Sequence, residues 1–184
     1  MRILFSTGNM GKLKEVSALF AGLGHDVIQL DGDCPEIQAD TLEEVVEACL
    51  KWLWERHRQP VMIDDSGLFI DTLKGFPGVY SAYVYRTLGN PGILKLMDKV
   101  PDRGAEFRCC AGFVDASGRI TLRSGVSRGI IIGEMRGSGG FGFDPVFRPE
   151  GETETFAELD LGTKNKLSHR GKAFTLLAQT LSGE

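Results

Sequence analysis

The sequence is short of the features that mark several large protein classes. No block of lysine and arginine occurs, and the 184 residues carry a net charge of −4, from 21 Lys and Arg against 25 Asp and Glu. Nucleic acids and anionic membranes are bound through a concentrated positive field, so no nucleic-acid and no membrane partner is expected. A phosphate-bearing small molecule needs only two or three well-placed cations and stays open. No apolar run reaches the roughly 20 residues of a transmembrane helix. The opening Met1-Arg2-Ile3-Leu4-Phe5 is too short for a signal peptide and runs into glycine and asparagine, which leads to the expectation of a cytoplasmic protein. Three histidines are too few for a His-rich zinc site. The four cysteines form no C-x-x-C pair, and are expected to be reduced, buried small hydrophobes, with the adjacent Cys109 and Cys110 on opposite faces of a strand. Repeats, low-complexity tracts and linkers are missing as well. Residues 1–184 therefore read as a single domain, long enough to bury a core unaided.

Glycine is plentiful. Its 24 copies cluster at Gly8/Gly11, Gly75/Gly78, Gly89/Gly92 and residues 137–142, where loops bring backbone close to something. Residues 2–5 and 26–30 read as strands around a helix marked by Leu13, Val16, Leu19, Phe20 and Leu23. Thr41 and Glu44 form a capping box ahead of a helix that ends before Pro60. Residues 61–63 read as a short strand emptying into Asp64-Asp65-Ser66-Gly67. Beyond it come a turn at 75–78, a helix over 91–100, a hairpin of 105–115 and 119–123, a strand over 127–132, and a helix over 166–181. Alternation at the front and hairpins in the middle predict an α/β fold with a mixed sheet.

Four segments suit a nucleoside triphosphate. Ser6-Thr7-Gly8-Asn9-Met10-Gly11-Lys12 lies between strand and helix, where free backbone N–H groups and the positive helix end favour phosphate oxygens. It is not a Walker A loop, which needs glycine at position 6 and Ser or Thr at position 13, where Ser6 and Leu13 stand. A plain turn with Asn9 as helix cap is the simpler alternative. Asp64-Asp65 places two carboxylates at a strand's end, where repulsion raises one pKa unless a cation relieves it. Mg²⁺ is suited to that task, since it takes carboxylate oxygens alongside substrate phosphates, and Glu36, in a loop after another strand, is a third acid for it or else a surface acid. The glycine-flanked Phe141 and Phe143, in Gly139-Gly140-Phe141-Gly142-Phe143-Asp144-Pro145, offer a face for a nucleobase or belong to the core. Lys164 through Arg170 (Lys-Asn-Lys-Leu-Ser-His-Arg) supply cations for phosphate and donors for a base edge.

In this order the segments resemble the inosine triphosphate pyrophosphatase family, whose members hydrolyse non-standard purine triphosphates. The matching stretches are Thr7-Gly8-Asn9-x-x-Lys12, Pro35-Glu36-Ile37-Gln38, Asp64-Asp65-Ser66-Gly67-Leu68, Gly75-Phe76-Pro77-Gly78, Phe141-Gly142-Phe143-Asp144-Pro145 and Ser168-His169-Arg170-Gly171, spread over nearly the whole chain. The resemblance implies an elongated mixed sheet flanked by helices, in two lobes with the active cleft between them, and a homodimer. It also implies Mg²⁺-dependent conversion of ITP, dITP or XTP to the monophosphate and pyrophosphate. Asp65 would be the general base and, with Glu36, a metal ligand, Asp64 being their electrostatic neighbour. Thr7, Gly8, Asn9, Met10, Gly11, Lys12, Ser66 and Lys164 would hold the substrate. Phe141, or else Phe143, would stack on the base within a loop that includes Gly142 and Asp144. Arg170, or backbone N–H groups beside His169, would read the purine 6-oxo group. In one departure, Cys49 stands where many members carry a lysine, and Lys51 would face elsewhere on the helix. Trp52, Trp54, Tyr80, Tyr83 and Tyr85 fit either an interface or the core. A pyrimidine-selective pyrophosphatase and a non-catalytic nucleotide sensor are the competing readings.

Overall fold

The computed structural model describes residues 2–31, 34, 35 and 37–182; Glu36 lies outside them. The chain opens with β1 (Arg2–Ser6), α1 (Met10–Ala21), β2 (Asp26–Leu30), α2 (Leu42–His57) and β3 (Val61–Ile70). It continues through α3 (Ser81–Thr87), α4 (Gly89–Leu96), β4 (Gly104–Val114), β5 (Ile120–Ile131), β6 (Phe147–Pro149), α5 (Leu161–Leu167) and α6 (His169–Ser182). The strands form one open sheet in the order β2-β1-β3-β4-β5-β6. β1 runs parallel to β2 and β3, whereas β3 to β6 are antiparallel neighbours, so the sheet is mixed as expected.

Local chemistry sets the first helices. The Asn9 side chain accepts from the backbone N–H of Gly11 and Lys12, at 2.9 and 3.2 Å, and so starts α1. Thr41 and Glu44 form the reciprocal capping box of α2. Helices then cover both faces of the sheet. Phe174 of α6 meets Phe5 and Phe20 edge-on at 5.6 and 6.0 Å in one core. On the other face Val46, Leu50 and Leu53 of α2 pack on Val61, Ile63 and Val114. A third core, with Leu68, Phe107, Phe143, Phe147 and Phe156, fills the far end of the sheet.

Several elements differ from the sequence reading. β3 does not stop at residue 63: it spans ten residues, and Asp64, Asp65 and Ser66 pair with Ala111, Cys110 and Cys109 of β4. The ladder satisfies the backbone around both acids, which pattern reading breaks off because neither is apolar. Residues 120–131 are one strand rather than two. The last helix is two helices, because Ser168 is extended (φ −72°, ψ 153°) and its hydroxyl accepts the Gly171 N–H at 3.0 Å. The α3 helix was not foreseen, and the helix expected over 91–100 covers Gly89–Leu96. Cys109 and Cys110 are buried free thiols in separate cores, as expected, but Cys34 and Cys49 form a disulfide rather than two thiols. Their Cα atoms lie 5.3 Å apart, within the ordinary span of such a bond.

Candidate active site

The sheet topology produces the cleft. β1 meets β3 at the pair Phe5 and Met62 and ends at Ser6, so Asp64, Asp65 and Ser66 run past its end, beside the loop that leads into α1. On the other side, the Ser81 hydroxyl accepts the Leu68 N–H at 2.8 Å and donates to the Gly78 carbonyl at 2.7 Å. Gly67 permits that approach, since a Cβ there would collide with the Gly78 carbonyl. The result is a cleft of about 550 Å³ walled by the α1 start, β3, α3, the 140–144 loop and the α6 start. A larger groove of about 820 Å³ lies between α1, β5, α5 and α6, but no carboxylate lines it. Chemistry therefore favours the smaller space.

Of the residues singled out from sequence, Asn9, Lys12, Asp65, Ser66, Phe141, Gly142, Phe143, Asp144, His169 and Arg170 line the cleft. Thr7 sits behind, its hydroxyl accepting the Asn9 N–H at 3.1 Å. Gly8 and Met10 are exposed, and Gly11 lies under the Phe141 ring. Lys164 is buried at the back. In the first loop Asn9 caps the helix, and Lys12 projects towards the acids.

The two aspartates occupy opposite environments. Asp64 has no exposed side-chain surface, and its Oδ2 is held by Arg170 Nε at 3.0 Å and Lys12 Nζ at 3.3 Å. Burial pushes its pKa up, but Lys12 and Arg170 outweigh burial and hold it below the usual carboxylate value. Asp65 opens onto the cleft, and its Oδ1 accepts the Ser66 N–H at 2.9 Å. Burial, abetted by the Asp64 charge and countered by Lys12, raises its pKa. The cation at this strand end is thus provided by the protein, and it relieves Asp64 rather than Asp65.

Behind the cleft lies an ion chain whose centre sequence reading missed. Glu15, 4% exposed on α1, accepts from Lys164 Nζ at 2.5 Å and Arg170 Nη1 at 2.7 Å. Lys164 also holds Asp144 at 2.5 Å, and Asp144 accepts the Phe141 N–H at 2.8 Å. A hydrogen-bonded series Asp144–Lys164–Glu15–Arg170–Asp64–Lys12 therefore joins the phenylalanine loop to β3 and the α1 start. The clue to Glu15 was an acid standing inside the apolar stripe of Leu13, Val16, Leu19 and Phe20. Arg86 on the wall was missed with α3 itself, and Tyr85, read as an interface or core residue, lines the cleft beside it.

Arg170 is 2% exposed, and its Nη2 donates to Ser66 Oγ at 2.7 Å. With Asp64 and Glu15 already on its other two nitrogens, it acts as a brace. His169 is buried, stacks on Phe107 at 4.7 Å with rings 10° apart, and has an Nδ1 without a partner. Burial and the adjacent Arg170 hold its pKa well below the usual value, so the imidazole is neutral. Phe143 belongs to the core, edge-on to Tyr85 at 5.3 Å, whereas Phe141 is half-buried. Among the described residues no three His, Cys, Asp or Glu side chains stand together as a ready metal site.

Comparisons with known proteins bear on the family and the fold. The model of the Ham1 family matches residues 3–180. The dITP/XTP pyrophosphatase of Pyrococcus horikoshii is 52% identical over 173 residues, which cover 94% of this chain and 92% of that protein. Its namesake in Thermococcus kodakarensis is 51% identical over 181 residues, covering 98% and 97%. Among solved structures, the Staphylococcus aureus Ham1 protein has a TM-score of 0.85 at 28% identity, covering 100% of this chain and 99% of its own. A HAM1 protein from Coxiella burnetii gives 0.83 at 28% identity, covering 100% of both.

Proposed function

The chain belongs to the Ham1 family and is a nucleoside triphosphate pyrophosphatase; we propose that it converts dITP, ITP and XTP to the monophosphate and pyrophosphate, clearing non-standard purines from the cytoplasmic nucleotide pool. The observation that carries this reading is the division of labour between the two aspartates. Asp64 is a fixed, ionised anchor for Lys12 and Arg170, while Asp65, beside it, is open to the cleft with a raised pKa. A carboxylate of raised pKa is a better proton acceptor.

In this mechanism Asp65 takes a proton from the water that attacks the α-phosphorus. A phosphorus–oxygen bond forms to that water, the bond to the bridging oxygen breaks, and pyrophosphate leaves with the bond's electron pair. Lys12, next to both acids, faces the phosphates with Asn9. Asp65 and Glu36 would hold Mg²⁺, and the fit rests on donor chemistry. Asp65 Oδ1 is spent on the Ser66 N–H, its second oxygen is a hard donor, and substrate oxygens would fill the remaining positions that Mg²⁺ readily accepts. When bound, the ion neutralises charge on the phosphates and the leaving group.

Selectivity is assigned to Phe141, which would stack on the base, and to the α6 start. There the first-turn N–H groups of His169 and Arg170, the Gly171 N–H being taken by the Ser168 hydroxyl, and the neutral His169 side chain meet the purine 6-oxo group. A donor facing the 6-amino group of ATP instead is left unpaired, and polar sites reject analogues by large factors in this way. A homodimer belongs to the same reading. Tyr80 and Tyr83 are 48% and 61% exposed, whereas Trp52 and Trp54 pack on their own core beneath Arg56 and Arg58.

The test is product analysis after incubation with dITP, ITP, XTP, GTP, ATP and dUTP, with and without Mg²⁺. Monophosphate and pyrophosphate from dITP, ITP and XTP, only with Mg²⁺ and with ATP nearly untouched, are expected. Orthophosphate release would place attack at the γ-phosphorus and overturn the mechanism, and preferred turnover of dUTP would overturn the purine assignment. Sedimentation at micromolar protein tests the dimer.

A further inference from the structure

The charges of the cleft largely cancel one another. Lys12 is held by Asp64, Lys164 by Glu15 and Asp144, and Arg170 by Glu15 and Asp64. With Asp65 counted, these three cations stand against four carboxylates, which is no attractor for a polyanion arriving from solution. Arg86 is different. It lines the same cleft from α3, is exposed, and has no hydrogen-bond or ion-pair partner among the described residues. Its backbone is nevertheless fixed, because Ser81 ties α3 to β3 and the adjacent Tyr85 packs edge-on against Phe143. A free guanidinium on a rigid wall is pre-organised for bidentate binding of phosphate oxygens.

We propose that Arg86 is a further substrate-binding residue, which holds the β- and γ-phosphates of the triphosphate and then the pyrophosphate released from it. Attack by a water at Asp65 requires the α-phosphate to lie against that residue, where Lys12 already stands, so the outer phosphates are the ones left without a cationic side chain. This inference rests on the pyrophosphatase reading above.

The experiment compares wild type with Arg86→Ala, Arg86→Gln and Arg86→Lys, measuring kcat and KM for dITP and inhibition by pyrophosphate and by dIMP. Loss of one exposed charge-assisted contact should raise KM for dITP and the pyrophosphate inhibition constant about tenfold in the Ala and Gln variants. The fall in kcat should be much smaller, dIMP inhibition should stay unchanged, and Lys should restore part of the loss. KM for dITP should rise with added salt in wild type, and that rise should be shallower in Arg86→Ala. Unaltered KM and pyrophosphate inhibition in Ala and Gln overturn the proposal, as does equal weakening of dIMP, which would move the contact to the nucleoside end. Melting curves matching wild type exclude misfolding as the cause. Wild type that releases no pyrophosphate would instead overturn the function, whereas an active wild type matched by Arg86→Ala overturns the Arg86 assignment alone.

Discussion

Asp64 and Asp65 are consecutive on β3 yet ionise in opposite senses, because alternate strand residues face opposite sides of the sheet. Asp64 points to the α6 side, where Arg170 Nε meets it at 3.0 Å and stabilises its charge. Asp65 points away from that brace, and burial with the neighbouring negative charge disfavours its ionised form.

A general base must be deprotonated, so activity should rise with pH through the raised Asp65 pKa, with an acid limb above the ordinary aspartate value of 3.8. Asp65→Asn should keep nucleotide affinity, lower kcat by about 10²- to 10⁴-fold and remove that limb. Steady-state kinetics across pH with dITP check this. Unchanged kcat in the variant would show that another group takes the proton.

Glu15 should act on stability in the opposite pH sense to Asp144. Burial raises the Glu15 pKa, but Arg170 and Lys164 bring it below its ordinary 4.5, and Asp64 is likewise lowered from 3.8. The stability these two confer is complete above those values and is lost as pH falls through the lowered folded ones. Asp144, raised chiefly by burial, gives an opposite trend, its contribution fading as pH climbs through its raised value. Glu15→Ala leaves Lys164 and Arg170 short of a carboxylate and should cost about 3 kcal/mol or more, roughly 10 °C in Tm. Melts of both proteins between about pH 3 and pH 7 read the cost and the shallower acid slope expected of the variant.

The pairing of Cys34 with Cys49 gives a direct count. Denatured without reductant, the protein should show two reactive thiols, Cys109 and Cys110, and four after reduction. Because the bond closes a 15-residue separation between the loop before α2 and the helix itself, reduction should lower stability by about 3 kcal/mol. Four thiols before reduction would refute the pairing.

Sequence carried the parts of this molecule that rest on local chemistry. The capping box at Thr41 and Glu44, the Asn9 cap and the strand at Asp26–Leu30 are each fixed by neighbours a few residues apart. Lys51 pairs with Glu47 on the exposed side of α2, as its helical position required. What escaped depends on distant partners. Asp64 and Asp65 remain in a strand because β4 lies alongside, and Cys34 finds Cys49 across a loop without any spacing signature. Lys164, His169 and Arg170 looked like one basic helix start. Only folding reveals that Lys164 and Arg170 turn inward to a single buried glutamate 149 and 155 residues away.

The same distinction decides between the two phenylalanines of the 140–144 loop, which the sequence left open. Phe143 is 3% exposed and packs with Val146, Val84 and Ile93, so Phe143→Ala should create a core cavity and cost about 3–5 kcal/mol. Phe141 lies outside that core, half-buried on the cleft, with Lys164 and Arg170 at 5.0 and 5.2 Å from its ring centre. Its removal should barely move Tm, yet raise KM for dITP by about tenfold, the low end of what a base–aromatic stack contributes. Because every base has a π-face, Phe141→Ala should weaken dITP and any residual ATP binding alike, leaving their ratio to the 6-oxo contacts at the α6 start. Melting curves and KM values for the two variants separate the roles. A Phe141 variant that unfolds early with KM unchanged would reverse them.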